Sequence, residues 1–513
     1  MLRITKTESG MVQGYPGTDA RITVYKGIPF AADTSGENRW RPPQPVKPWE
    51  GVRKCYEFAP ITMQKTPGQN PDAFYSKEWH VDPEVPMGED SLALNIWTPA
   101  KTGDEKLPVM VWIFGGGLQE GYAYEMEFDG ERIASRGVIL VSVAYRLNVF
   151  GFLSHPDLTA ENPDAPANFG FLDQKAGIEW VKRNIANFGG DPENITIFGQ
   201  SAGGVSVFAQ LCSPQTEGLF QRAIIQSSAG GSILPVYPKT RFNDAITLKE
   251  AEERGVRFLK EQLGVDTIAE ARKLDAKFIR DKCVESKGWF PQTIDGKFMP
   301  ESIFRAVFGD KMHRVPLMIG YTEDEMPIGP AGGTEADLES WAKENFGPYA
   351  QEYAEACCRK AEKEGKPLAK CSFVNVNENS TRIVGDVLSA QGRKVYAYAF
   401  DPEIPGDNAG SFHSSDLWFC FETLMKCWRP FDGHHYDLAR RMCNYWTNFA
   451  KNGDPNGEDA DGTPMPEWTA YTAESPRVMD LYDEICMESA DADAKREVML
   501  RANKEAFAKK LEG

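Results

Sequence analysis

Short apolar runs separated by longer amphipathic stretches dominate the chain between residues 92 and 230. "LALNIWTP", "LPVMVWIFGGG", "VILVSVAYRL", "ITIFGQSAGG" and "RAIIQSSAG" are nearly continuous in Val, Ile, Leu and aromatic residues. Runs this short, without polar alternation, read as strands buried on both faces, the habit of parallel sheets. Between them, "FLDQKAGIEWVKRNIANFG" places apolar residues at helical spacing and ends on glycine. Strands alternating with helices predict an α/β fold: a large, mostly parallel sheet with helices on both faces.

The pattern extends to both ends. Up to residue 60 the chain carries short strand-like pieces such as "RITVYKGIPF", with turn glycines between them. Residues 60–90 mix Pro and Gly with Phe, Tyr and Trp, which reads as a long ordered loop rather than a linker. Residues 236–287 and 334–382 are more charged and helix-like, and read as helical insertions above the sheet. "VPLMIGYTEDE" and "KVYAYAFD" resume strands, and "YDLARRMCNYWTNFAKNG" is a helix before a polar loop and a final charged helix. Because strands recur on both sides of the insertions, residues 1–513 are expected to form one domain.

Composition narrows the functional classes. The 513 residues are 41% hydrophobic and 26% charged, enough apolar surface for a large core. The net charge of -18 repels phosphate backbones and anionic lipid surfaces, so neither nucleic acid nor membrane is an expected partner. No run approaches the roughly 18 apolar residues of a membrane span. The N-terminal "MLRITKTESGMVQGYPG" has no charged-then-apolar signal region. Ten cysteines show no CxxC pairing, as expected of reduced thiols in a cytoplasmic protein.

The candidate chemistry centres on one serine. Gly199-Gln200-Ser201-Ala202-Gly203 fits the G-x-S-x-G nucleophile elbow, a sharp strand-to-helix turn that needs tiny residues on each side of the serine. "NITIF" precedes it as a strand and "GGVSVFAQLC" follows as a helix, whose start aims N–H groups at developing negative charge. Upstream, Gly115, Gly116 and Gly117 follow another strand. A glycine loop there is where an oxyanion hole draws its donors, with Gly116 and Gly117 joining the N–H of Ala202.

An elbow serine is followed along the chain by its acid and then its histidine. Of six histidines, His80 and His155 precede the serine, and His313 leaves no strand-end acid between. His413 lies in the loop "GSFHSSDLWFCF", with Ser415 or Asp416 capping an apolar helix, and is the favoured base. His434 and His435 sit at a polar helix start, where solvent exposure is expected. For the acid, "VPLMIGYTEDEMP" ends a strand on Glu323, Asp324 and Glu325, and pattern alone does not separate the three.

The chain as a whole resembles the type-B carboxylesterases, the family that also holds the cholinesterases, and in particular a bacterial para-nitrobenzyl-esterase-like branch. The resemblance runs over nearly the whole length, through "YKGIPFA", "RWRPPQPVKPWEG", "EDSLALNIWTP", "VMVWIFGGG", "VAYRLNVFGFL", "NFGFLDQKAGIEWVKRNIANFGGDPENITIFGQSAGG", "GYTEDE", "HSSDLWF" and "YWTNFAKNGDPNG" in family order. It implies an α/β-hydrolase fold and a Ser-Glu-His triad of Ser201, Glu325 and His413. It also implies that Ser227 supports the acid and base through hydrogen bonds. There are departures. Ser91 stands where the family has a cysteine, and "APITMQ" lacks that cysteine's partner, which agrees with a reducing compartment. Phe114 and Leu118 flank the glycine run in place of the usual residues, and Met326 replaces the glycine after the acid.

The implied activity is hydrolysis of carboxylic esters, of apolar or aryl type, through an acyl-enzyme and without metal or cofactor. Phe74, Tyr75, Trp79, Leu118, Trp289 and Trp418 are candidate pocket residues for a small-molecule ester. Amidase, thioesterase or lactonase activity would use the same site. A non-catalytic binding protein is the remaining alternative, and the surviving nucleophile argues against it.

Overall fold

The computed structural model describes residues 1–79, 81–239, 245–488 and 493–512. His80 and residues 240–244 of the first helical insertion lie outside the described residues. The chain forms two compact units, each discontinuous in sequence: Met1–Ile224 with Ala245–Ser302 and Leu417–Met465, and Ile225–Asp244 with Ile303–Asp416 and Pro466–Gly513.

The first unit is built on strands Tyr15–Pro16 (β1), Thr23–Pro29 (β2), Ala93–Thr98 (β3), Leu107–Ile113 (β4), Ile139–Val143 (β5) and Gly190–Gln200 (β6), ordered β6-β4-β5-β3-β2-β1. β4 runs parallel to both neighbours, with Val109 opposite Ile139 and Ile113 opposite Gly199. β3 differs from expectation. Every residue of it is buried, yet it pairs antiparallel with β2 and with β5. Burial on both faces makes a run continuous in apolar residues, and strand direction leaves no mark on that pattern.

Helices cover these strands through their apolar stripes. Phe169–Asn184 buries Phe171, Ile178 and Val181 at helical spacing, and its last turn runs on to Gly189 at φ 86°, a left-handed stop. Ala202–Cys212 and Gly433–Asn452 both pack on β4 and β6. At the centre, Trp112 of β4 meets Phe128, Phe198 and Phe421 at centroid distances of 4.8, 4.8 and 5.1 Å. Within the 60–90 stretch, expected as loop, residues Phe74–Glu78 form a short helix. A single turn is too short to show periodicity.

The strand Arg222–Gln226 (β7) carries the chain from the first unit into the second. The second unit holds Leu317–Thr322 (β8), Val395–Phe400 (β9), Met479–Leu481 (β10) and Cys486–Met487 (β11), ordered β11-β10-β9-β8. β8 and β9 are parallel from Leu317↔Val395 to Thr322↔Phe400, and both are buried throughout. β9 and β10 are also parallel, and β11 closes the edge antiparallel. The helix Val376–Ala390 lies on β8 and β9. Helices Glu335–Phe346, Ala350–Glu364 and Ala494–Glu512 share a core of Phe346, Tyr353, Val374 and Met499. The first of these starts on Thr334, whose hydroxyl accepts from Asp337 N while Asp337 reaches back, a reciprocal cap readable in "TEAD". Arg496–Glu378 (2.6 Å) ties the C-terminal helix to the helix over β8 and β9, and Arg382–Glu488 (2.9 Å) ties that helix to the residue after β11.

Candidate active site

Ser201 stands at the turn between β6 and the helix Ala202–Cys212, half-buried, with φ 56° and ψ −126°. This conformation is strained for a residue with a Cβ, and it persists only where the surroundings over-determine it. The surroundings do so here through close approach. A methyl group on Gly203 would collide with the carbonyl of Ile113, and one on Gly199 would lie 2.7 Å from that oxygen. The two glycines therefore let strand, turn and helix pass, and the turn lifts Ser201 at the helix N-terminus. Ala202 is the first helical residue, so its N–H is free of the helical ladder.

The glycine run abuts this turn. A methyl on Gly115 would lie 2.7 Å from Gln200 O and 3.1 Å from Ser201 Cβ. Gly116 and Gly117 follow at φ 102° and 66°, and Leu118 at φ 61° keeps the left-handed path with its side chain buried. Trp289 faces Gly117, where a methyl would meet its ring at 3.9 Å, an ordinary van der Waals contact, and it is 48% exposed.

In the second unit, Nδ1 of His413 is hydrogen-bonded to Oε2 of Glu325. Both side chains are buried. Glu323 and Asp324 are exposed, so of the three acids left open by pattern only Glu325 meets the histidine. Burial disfavours the imidazolium, but the charge and hydrogen bond of Glu325, with the charge of Asp416, outweigh it and raise the His413 pKa above its ordinary value. Asp324 does different work: its carboxylate accepts from Ser411 N at 3.0 Å, and its own N–H donates to Ser411 O at 3.1 Å. That pairing holds the loop in which His413 stands. Asp416 begins the next helix, and its carboxylate accepts from Gln226 Nε2 (2.9 Å) and Tyr398 OH (3.1 Å).

Ser227 departs from the role that the resemblance implied. It lies just past β7 at φ 50°, and its N–H donates to Gly320 O at 2.8 Å. Its Oγ is buried and makes no hydrogen bond among the described residues, so the backbone turn, not the hydroxyl, is what it contributes here. His435 also departs from expectation. It is buried, with Nδ1 on Asp432, whereas His434 has a side chain 45% exposed.

The pocket candidates separate into two groups. Leu118 belongs to the glycine loop, and Trp289 faces that loop at Gly117. Phe74, Tyr75, Trp79 and Trp418 form an aromatic cluster: Tyr75 stacks on Trp79 at 6.2 Å, and Trp79 meets Trp418 at 5.4 Å. Sequence reasoning missed the residue that holds this cluster. Glu78, 1% exposed, accepts from Trp418 Nε1 (3.0 Å), Trp428 Nε1 (3.1 Å) and Arg429 Nε (2.9 Å). A single Glu in a Pro-, Gly- and aromatic-rich stretch carries no local sign of such burial.

The comparisons with known proteins agree with this chemistry. A family model described as "Carboxylesterase family" matches residues 2–500. The para-nitrobenzyl esterase of Bacillus subtilis (strain 168) is 31% identical, over 96% of this chain and 98% of that one. The medium-chain fatty acyl-CoA hydrolase precursor of Anas platyrhynchos is 31% identical, over 91% of this chain and 86% of that one. The crystal structure of the Geobacillus stearothermophilus carboxylesterase EST55 at pH 6.2 matches with a TM-score of 0.77 at 30% identity, covering 97% of this chain and 100% of that one. These structural neighbours have the α/β-hydrolase fold, a large, mostly parallel sheet with helices around it, as expected from the strand–helix alternation. The chain belongs to the carboxylesterase family, and it is a serine-type carboxylic ester hydrolase.

Proposed function

We propose that Ser201, His413 and Glu325 form the catalytic triad, with Gly116, Gly117 and Ala202 as the oxyanion hole. The observation that carries this reading is the bond from Glu325 to Nδ1 of His413. It keeps the proton on Nδ1 and leaves Nε2 as the basic nitrogen. Nε2 takes the Ser201 proton as Oγ bonds to the ester carbonyl carbon, and the carbonyl electron pair moves onto oxygen. The three N–H groups meet that oxyanion, each typically worth about 3 kcal/mol of barrier. The tetrahedral intermediate collapses, its bond to the alcohol oxygen breaks, and the imidazolium returns the proton to the leaving alcohol. Water repeats the sequence on the acyl-serine and frees the acid. No step requires a metal or cofactor.

The finer reading is an apolar or aryl ester as substrate, supported by the cluster of Phe74, Tyr75, Trp79 and Trp418, by Leu118 on the glycine loop and by Trp289 facing it. Thioester cleavage is a second reading, favoured by the name of the Anas platyrhynchos relative. We read residues 1–513 as one hydrolase domain, supported by the span of the family model. A bacterial, cytoplasmic setting is supported by the two-way coverage with the Bacillus esterase and by ten cysteines none of which forms a disulfide among the described residues. Among the described residues, no helix is long and apolar enough to cross a membrane.

The test is Ser201→Ala assayed on a para-nitrophenyl ester, with mass analysis after organophosphate treatment. Loss of turnover and of the single covalent adduct is expected. Full activity in Ser201→Ala, or an adduct on another residue, would sink the reading.

A further inference from the structure

We infer that Gln64 and Asn148 are positioning residues that hold the oxyanion loop in its working shape. This rests on the reading of Gly116 and Gly117 as oxyanion donors. Gly116, Gly117 and Leu118 take three successive positive φ angles of 102°, 66° and 61°. Such a path is costly for leucine and unconstrained for glycine, so the loop does not keep it unaided. Two side chains from distant parts of the first unit grip it.

Gln64 is 1% exposed and lies in the stretch before the aromatic cluster. Its amide bonds both backbone groups of one residue: Gly121 N donates to Oε1 at 2.8 Å, and Nε2 donates to Gly121 O at 2.9 Å. This pair of bonds pins the end of the loop. Asn148 grips its middle. The Asn148 N–H donates to Leu118 O at 2.7 Å, and its Nδ2 donates to Gln119 O at 3.1 Å and to Met63 O at 2.9 Å. Met63 is next to Gln64, so the two clamps are joined through the backbone. Asn148 itself sits at φ 47°, a conformation that Asn tolerates better than most residues.

Between the clamps the loop closes on itself, with Gln119 N and Glu120 N donating to Gly116 O at 3.0 and 3.1 Å. A peptide plane points its C=O and N–H in opposite directions. The Gly116 carbonyl, bonded into the turn, therefore aims the Gly117 N–H out of it. Losing either clamp frees that plane to rotate. A donor misplaced by about 1 Å costs up to about a hundredfold in rate.

The test uses the full chain with Gln64→Met, which keeps length and removes both bonds, and Asn148→Gly, which keeps the positive φ and removes both Nδ2 bonds. Expected for each is a kcat on a para-nitrophenyl ester at least about tenfold lower. KM stays within about twofold. The acid limb of the pH profile stays in place, because the base is untouched. Affinity for an aryl trifluoromethyl ketone, which forms a tetrahedral oxyanion on the serine, falls in parallel with kcat/KM. A purely structural role would lower Tm without moving kcat per folded enzyme or the ketone affinity, and that outcome overturns the inference. If Gln64→Met does not fold, Asn148→Gly decides by the same measurements. Failure of the underlying reading is distinguishable: Ser201→Ala would then stay active, whereas failure of the clamp leaves Ser201→Ala inactive and the clamp variants at full rate.

Discussion

Nδ1 of His413 and Oε2 of Glu325 are joined by a hydrogen bond between two buried side chains that lie 88 residues apart in the chain. The pairing has two consequences for an imidazole base: it selects the nitrogen that remains basic, and it raises the pKa above the ordinary value. A base works when neutral, so the acid limb of kcat/KM should lie above about 6.5.

Glu325→Gln removes the charge that raises this pKa and leaves the burial that lowers it. The acid limb should move to lower pH, and kcat should fall by about ten-thousandfold as the tautomer is lost. Asp324→Asn is the control. Its amide oxygen can still accept from Ser411 N, so the limb should stay and kcat should change little. A pH–rate profile of both variants checks this. If Asp324→Asn shifted the limb and Glu325→Gln did not, the acid would be misassigned.

Glu78 and Arg429 form an ion pair with side chains 1% and 0% exposed. Removing one partner leaves a buried charge alone, typically at a cost of about 3–5 kcal/mol. Glu78→Ala should lower Tm markedly. It should also raise KM for aryl esters several-fold more than KM for a short alkyl ester, because Trp418 and Trp428 lose their acceptor. Thermal melts and a paired substrate series measure both. Equal changes in the two KM values would separate the aromatic cluster from substrate binding.

Glu127 is 1% exposed, and its Oε2 has no hydrogen-bond partner among the described residues. Burial first, then the charge of Glu125, push its pKa well above the ordinary carboxylate range. A raised carboxyl pKa means the folded state holds a proton that the unfolded state has released. Stability from this group is thus complete below the ordinary value of about 4.3 and is lost as pH rises through the folded pKa. Glu127→Gln should raise Tm by a few degrees at about pH 8 and hardly at all at about pH 5. An equal gain at both values would contradict the assignment.

Much of the architecture was legible from local pattern. Strand–helix alternation, the elbow around Ser201 and the glycine run each depend on residues close in sequence, where spacing and side-chain size speak directly. Gly199 and Gly203 were required by the crossing of strand and helix, and the carbonyl of Ile113 supplies the physical reason. Strand direction was not legible: β3 is buried throughout, as the parallel-paired β5 is, but pairs antiparallel.

Side-chain partnerships across the chain were decided by packing. "TEDE" offers three similar acids, and the turn after β8 buries only Glu325 against His413 while leaving Glu323 and Asp324 exposed. The hydroxyl of Ser227 matched the family position, yet its Oγ makes no hydrogen bond among the described residues. Nothing local in sequence marks Glu78 or Gln64, yet each is buried against groups that folding brings from elsewhere. Periodicity reports which face of an element is apolar. It carries no record of which distant donor will satisfy a buried carboxylate or amide, because that choice is made when the backbones have already met.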